Sequence, residues 1–224
     1  MKDKISLSAG IFWVLAWFAT MLVYTFLDVA IWRRLPPVIE KYLNTFSIIL
    51  CTIIFLFLLA KKNNTKIEFF RNTSWQGLLI AAGCSVLFFL FLDHFLDPLL
   101  SKAFPSSEEN YQEALTRLSK APVLSLIQIC IIAPILEETL MRYFLLGGLS
   151  IGYGKWFALL ISALLFAILH INLVQSLSAF VCGIVLGLLY LHTGSLFCCI
   201  FAHMGYNLLA YLTTVLPLFY KKIT

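Results

Sequence analysis

Three groups of polar residues interrupt an otherwise apolar sequence, and each carries side chains able to move or hold protons. The first is Glu137-Glu138-x-x-x-Arg142, the second Phe166-x-x-x-His170, and the third His203-x-x-x-Asn207. Ionisable groups at bilayer depth cost roughly 2.5–3.5 kcal/mol each on insertion scales, so they need a partner or a task. Glu138 and Arg142 lie four residues apart on one helical face and can pair. Glu137 projects about 100° away and lacks that partner. An ion pair holding two helices together accounts for Glu138 and Arg142, but leaves the second carboxylate unexplained. Pro134, just upstream, frees a backbone carbonyl and can bend the helix around a polar cavity.

A carboxylate, two imidazoles and a carboxamide converging from three spans would form a hydrolytic constellation. The carboxylate and one imidazole would activate water. The other imidazole and the amide would donate hydrogen bonds to a developing oxyanion. His203 and Asn207 sit one turn apart on a shared face, as that division requires. No span offers a serine or cysteine with a base at helical spacing, so a covalent nucleophile is not indicated. His94 and His192 fall near span ends and read as interfacial residues.

The elements that must position these groups follow from composition. The chain has 224 residues, 61% hydrophobic, 15% aromatic and 12% charged, with mean hydropathy +0.94. Soluble domains are nearer 45–50% apolar and about a quarter charged. Disordered, collagen-like and disulfide-scaffold classes are excluded. The apolar residues come in runs near the ~20 residues that span a bilayer. The expected fold is all-α, a polytopic transmembrane helix bundle of about seven spans with the active site inside it. The spans fall near 8–31, 43–60, 75–97, 122–147, 156–171, 174–192 and 196–218. Residues 1–224 form a single integral membrane domain. Within it, 1–121 supplies three N-terminal spans and a linker helix, and 122–224 a four-helix core carrying all three motifs. The first apolar run exceeds a signal-peptide h-region and no A-x-A site follows, so a cleaved signal is not expected.

Between the third and fourth spans, Ser106 and Glu109 have capping-box spacing, and Tyr111, Leu115 and Leu118 share a face. A short amphipathic helix lying in the interface is expected, with a gate beside the site as the sharper alternative. The net charge of +5 comes from basic residues placed between apolar runs. Lipid headgroups explain these better than nucleic acid does, and no nucleic-acid partner is expected. With the linker left out, Lys2, Lys4, Lys61, Lys62, Lys66, Arg71 and Lys155 fall on one side, against Arg33, Arg34, Lys41, Lys221 and Lys222 on the other. Seven against five favours a cytoplasmic N-terminus. The six cysteines lack metal-site spacing and read as packing residues.

The three motifs, in this order on successive membrane helices, resemble the CPBP family, the CAAX-protease and bacteriocin-processing (Abi) group of intramembrane proteases. The resemblance covers Pro122 to the C-terminus and shows no departure in the motif residues. It implies that Glu137 and His170 activate the water, that His203 and Asn207 form the oxyanion site, and that Glu138, Arg142 and Phe166 support them. Family members have been described both as metalloproteases and as glutamate-type proteases, and Glu137, His170 and His203 could ligate zinc. The metal-free reading, with no cofactor, is favoured because H-E-x-x-H is absent and an Asn amide is a better oxyanion donor than zinc ligand. The implied activity is an endopeptidase acting on a membrane-associated peptide or protein near the cytoplasmic face. The compact length and short loops resemble the bacterial members, which places the chain in the plasma membrane. The alternative is a non-catalytic immunity or regulatory protein that binds a peptide or partner helix in the same cavity. An ion-coupled transporter would show paired broken helices in related halves, and the sequence has no such symmetry.

Overall fold

A computed structural model describes residues 4–221. Lys2 and Lys222, used in the charge count, lie outside them. Among the described residues every regular element is helical. They are α1 (Leu7–Ala30), α2 (Pro37–Lys62), α3 (Trp75–Ala103), α4 (Pro105–Leu118), α5 (Pro122–Tyr153), α6 (Lys155–Ile168), α7 (Leu173–Thr193) and α8 (Leu196–Tyr220). Helix starts are set by local chemistry. The Ser6, Ser74, Asn172 and Ser195 side chains each accept a first-turn N–H, and Pro105 and Pro122 sit where a missing N–H costs nothing. Gly154 (φ +85°) and Gly194 (φ +63°) turn the chain between α5 and α6 and between α7 and α8, in a region L side chains avoid.

Six described helices are long and apolar enough to cross a bilayer, and α6 is the shorter seventh. Its 14 residues reach only about 21 Å at 1.5 Å per residue, against a hydrocarbon core of ~30 Å. The expected span 156–171 therefore stops early. It ends at the polar site, where His170 occupies the turn that follows. The linker helix α4 forms as expected, but not by the expected cap. Pro105 occupies its first position, no side chain caps it, and Ser107 and Glu108 donate their N–H groups to the Phe104 carbonyl. Nor does α4 lie free in the interface. Leu115 is buried against Cys130, Tyr211 and Val215, with Tyr111 and Leu118 beside it, so the helix is packed onto α5 and α8.

Helix α5 is the axis of the bundle. All eight residues from Thr139 to Leu146 are buried. Ser162 Oγ donates to the Met141 carbonyl at 2.9 Å, tying α6 to it. Ser85 Oγ donates to the Ala202 carbonyl at 2.8 Å, tying α3 to α8. Two stretches of α5, Ile127–Ile132 and Thr139–Leu146, and one of α3, Phe89–Leu96, are wound with the wider i→i+5 register. Such segments gather near functional positions.

The N-terminus, the α2–α3 loop and the Gly154 and Gly194 turns gather at one end of the bundle. The Ile5 N–H donates to Gly148 O, Tyr143 Oη bonds the Lys66 carbonyl, and Asn72 Nδ2 bonds Gly194 O. The α3–α4 turn, α4 and the α6–α7 turn gather at the other. With α4 occupying only residues 105–118, the segment between α3 and α5 is short enough to count for orientation. Lys102, Arg117 and Lys120 then raise the five to eight against seven, and the preference for a cytoplasmic N-terminus disappears.

Candidate functional site

The site is assembled around one aromatic ring. Phe166, in the last turn of α6, carries the Arg142 guanidinium over its face at 4.6 Å from the ring centroid. Its edge contacts are His170 at 5.1 Å and His203 at 6.0 Å. Every polar residue of the three motifs lies within one neighbourhood of this ring or on the wall of the cavity beside it.

The inner part is dry. Glu138 and Arg142 are completely buried, and Glu138 Oε2 stands 3.1 Å from Arg142 Nε. The other oxygen, Oε1, is 2.8 Å from His203 Nδ1. A carboxylate only accepts, so that nitrogen carries the proton. A buried charge must be paired to be tolerated, and here the single carboxylate serves two basic groups on α5 and α8. The spacing-based pairing of Glu138 with Arg142 is present, and the link to His203 adds a second helix to it.

The outer part faces a cavity of about 300 Å³. Glu137, His170, His203 and Asn207 all line it. Glu137 Oε2 lies 3.8 Å from His203 Nε2, too far for a hydrogen bond but close enough for the charges to interact. No hydrogen bond joins Glu137 to His170 among the described residues. His170 Nδ1 lies 3.0 Å from the Phe166 carbonyl, one of those left unpaired at the end of α6. That acceptor holds the proton on Nδ1 and leaves the Nε2 lone pair available.

Asn207 is positioned by the wide register of α5. There Ala133 N–H bonds Gln128 O, five residues back. The next N–H in that register would belong to residue 134 and reach Ile129 O, but Pro134 has none. Asn207 Nδ2 donates to this carbonyl at 2.9 Å, leaving its second N–H for another acceptor. The carbonyl that proline was expected to free therefore anchors the third motif.

Several cavity residues escaped the sequence reading. Asp97, bonded to Ser178 Oγ, lines the wall, and Asp93 accepts from Tyr206 Oη at 2.8 Å. Two carboxylates one turn apart inside an apolar run were the available signal. Asn172 joins the cap of α7 to α4 by donating from Nδ2 to the Ser107 carbonyl at 2.6 Å. Tyr111 on α4 faces the cavity, and burial, helped by Asp93, Asp97 and Glu108, pushes its phenol up to about 12, so it stays a neutral donor. His94 and His192 are exposed and away from the cavity. Cys182 lines the cavity, and all six cysteines are free thiols.

Among the described residues no three His, Cys, Asp or Glu side chains are grouped to hold a metal ion. The lining residues from α4, the α6–α7 turn and the far end of α8 put the mouth at the end of the bundle opposite the N-terminus. A cytoplasmic N-terminus would place that mouth on the opposite, non-cytoplasmic side of the membrane. The expectations of a cytoplasmic N-terminus and of chemistry at the cytoplasmic face therefore exclude one another.

Residues 119–209 match the family described as type II CAAX prenyl endopeptidase Rce1-like. A Bacillus subtilis (strain 168) protein named "Putative membrane peptidase YdiL" is 33% identical over 99 residues, which is 44% of this chain and 40% of that protein. The chain thus aligns with less than half the length of the curated relative it matches. No solved structure matches. The matched segment contains all seven motif residues, and over that segment the chain is similar to this family.

Proposed function

Proceeding from that similarity, we propose that the chain is a membrane-embedded endopeptidase that hydrolyses a peptide bond with water held by Glu137 and His170. The observation that carries this reading is the division of the motif residues between a dry inner shell and a cavity wall. Glu138 and Arg142 fix the scaffold, and Phe166 stacks on Arg142 while also reaching the cavity wall. Glu137, His170, His203 and Asn207 are left facing space that a substrate can enter.

In the proposed cycle the Glu137 carboxylate takes a proton from the water as its oxygen attacks the scissile carbonyl carbon. His170 Nε2 accepts a hydrogen bond from the same water and orients it. The carbonyl oxygen, now negative, receives hydrogen bonds from the second N–H of Asn207 and from His203 Nε2–H. Donation from Nε2 requires the doubly protonated ring, because Nδ1–H already serves Glu138, and Glu137 and Glu138 supply the matching negative charge. The C–N bond then breaks, and the amine leaves with the proton held by Glu137. Glu137, His170 and His203 are not grouped to hold an ion, so no step is routed through a metal.

The test uses the protein purified in detergent, a panel of candidate precursor peptides with and without chelator, and mass spectrometry of the products. Cleavage at a defined bond is expected, lost in Glu137→Ala and in His170→Ala while both variants remain folded. Full activity in either variant contradicts the mechanism. Activity that survives with chelator supports the metal-free route, and loss with chelator contradicts it.

A further inference from the structure

Glu137 and His170 line two cavities, not one. On the side away from Tyr111 and Asn172 lies a second cleft of about 250 Å³, between α1 and α2 on one side and α5 on the other. Its volume is just below the ~300 Å³ at which ligand pockets begin, so it suits a side chain or a short extended segment. The walls are mostly apolar, with Trp17 and Met21 from α1, Ile48 from α2 and Leu136 from α5. The exposed Leu22 and Ile171 stand at its edge, where a membrane-spanning bundle meets lipid. Ala133, Glu137 and His170 belong to both linings.

One feature of this cleft is out of keeping with its surroundings. Thr20, Thr139, Thr193 and Thr214 all return their hydroxyls to the carbonyl four residues back. Thr52, which lines the cleft and is 6% exposed, does not, and its Oγ1 has no hydrogen-bond partner among the described residues. A hydroxyl left unpaired in apolar surroundings is costly, and a rotamer turn would give it to a ligand's backbone. Gln128 sits on the same wall, with its amide donating to Asn44 Oδ1 and Thr45 Oγ1 at 3.0 Å each, so α2 is braced against α5 at that point.

We propose that this cleft is the subsite for a bulky apolar side chain of the substrate next to the scissile bond, entering from the lipid side. The substrate class is then a peptide with Leu, Phe or a similar residue adjoining the bond. Water reaches Glu137 from the polar cavity while the apolar flank reaches it from the membrane. Seven of its fifteen lining residues come from α1 and α2, outside the segment that matches the family, so this chain's own N-terminal half contributes to selection. The inference rests on the endopeptidase reading, and its test is separable from it because binding is read without cleavage.

The probe is a ten-residue, otherwise polar peptide carrying one photo-leucine, irradiated with the full chain in lipid nanodiscs and mapped by mass spectrometry. Crosslinks are expected on Trp17, Met21 or Leu136. Labelling there should fall roughly tenfold or more in Thr52→Phe, which fills the cleft, and persist in Thr52→Ser, which keeps the hydroxyl. Excess Leu peptide should displace the probe and a Glu-substituted peptide should not. Labelling confined to Tyr111, Leu115 or Tyr211 overturns the proposal. So does labelling of Trp17 that only a fatty acid displaces, which makes the cleft a lipid site. A labelled cleft in a wild-type protein that cuts no precursor leaves an apolar-peptide binding site standing but removes the endopeptidase reading and, with it, the assignment of that site beside a scissile bond. Glu137-dependent cleavage with labels elsewhere does the reverse.

Discussion

Glu137 and Glu138 are neighbours in the chain and stand in different regions of the molecule. Toward the bundle axis, Glu138 is wholly buried between Arg142 and His203, and both carboxylate oxygens face a basic group. Toward the cavities, the Glu137 side chain is 23% exposed and its nearest basic atom is 3.8 Å away. Both are glutamates on one helix, and only their surroundings differ. The paired side ties α5 to α8, and the open side leaves a carboxylate facing the cavity, which the proposed mechanism uses as its proton acceptor. Separating scaffold from chemistry by a single 100° step lets one short motif serve both purposes.

The predictions break this contrast in turn. Arg142→Ala attacks the dry side most severely, because it leaves Glu138 buried without its cation. A loss of about 3–5 kcal/mol is expected. It can be read from thermal unfolding in detergent, with a thiol-reactive dye reporting exposure of the buried Cys182, Cys198 and Cys199. Asn207→Ala acts on the open side. It removes the proposed oxyanion donor and should slow cleavage by about 10²–10³-fold, with dye-reported unfolding changed far less than in Arg142→Ala. Gly183→Ala tests the packing that supports the dry side, since the added Cβ would stand 2.9 Å from the Ala163 Cα on α6. Overpacking of this kind costs about 1–3 kcal/mol and should lower the unfolding temperature without changing the cleavage site. The smallest effect belongs to neither side. Ser106→Ala should leave stability within about 0.5 kcal/mol, because no side chain caps α4. By contrast Ser195→Ala should cost about 1 kcal/mol, because its side chain accepts the Cys198 N–H at the start of α8.

The sequence was most legible where an ionisable group had to be reconciled with an apolar run. That reasoning reached Glu138 with Arg142 from helical spacing alone, and placed His203 with Asn207 on one face. It also separated six long spans, because hydropathy and length are direct consequences of the bilayer. What it missed is long-range or register-dependent. The bond between Asn207 and Ile129 follows from the wide winding of α5, which shifts the orphan carbonyl by one residue and leaves no mark in the spacing. Asp97 meets Ser178 across 81 positions, and Thr52 reaches the wall of the site from a helix with no motif at all. The capping box at Ser106 failed because Pro105 starts the helix earlier. The fifth span, 156–171, was drawn too long because its final residues lie in the turn that delivers His170.

The central claim is the division of labour between the two adjacent carboxylates, and the most direct measurement takes Glu137→Gln and Glu138→Gln side by side. For each, peptide cleavage and dye-reported thermal unfolding are measured in one preparation. The account predicts that Glu137→Gln unfolds at the wild-type temperature and cuts nothing, whereas Glu138→Gln unfolds at a clearly lower temperature. Cleavage retained in Glu137→Gln, or wild-type stability in Glu138→Gln, would contradict it.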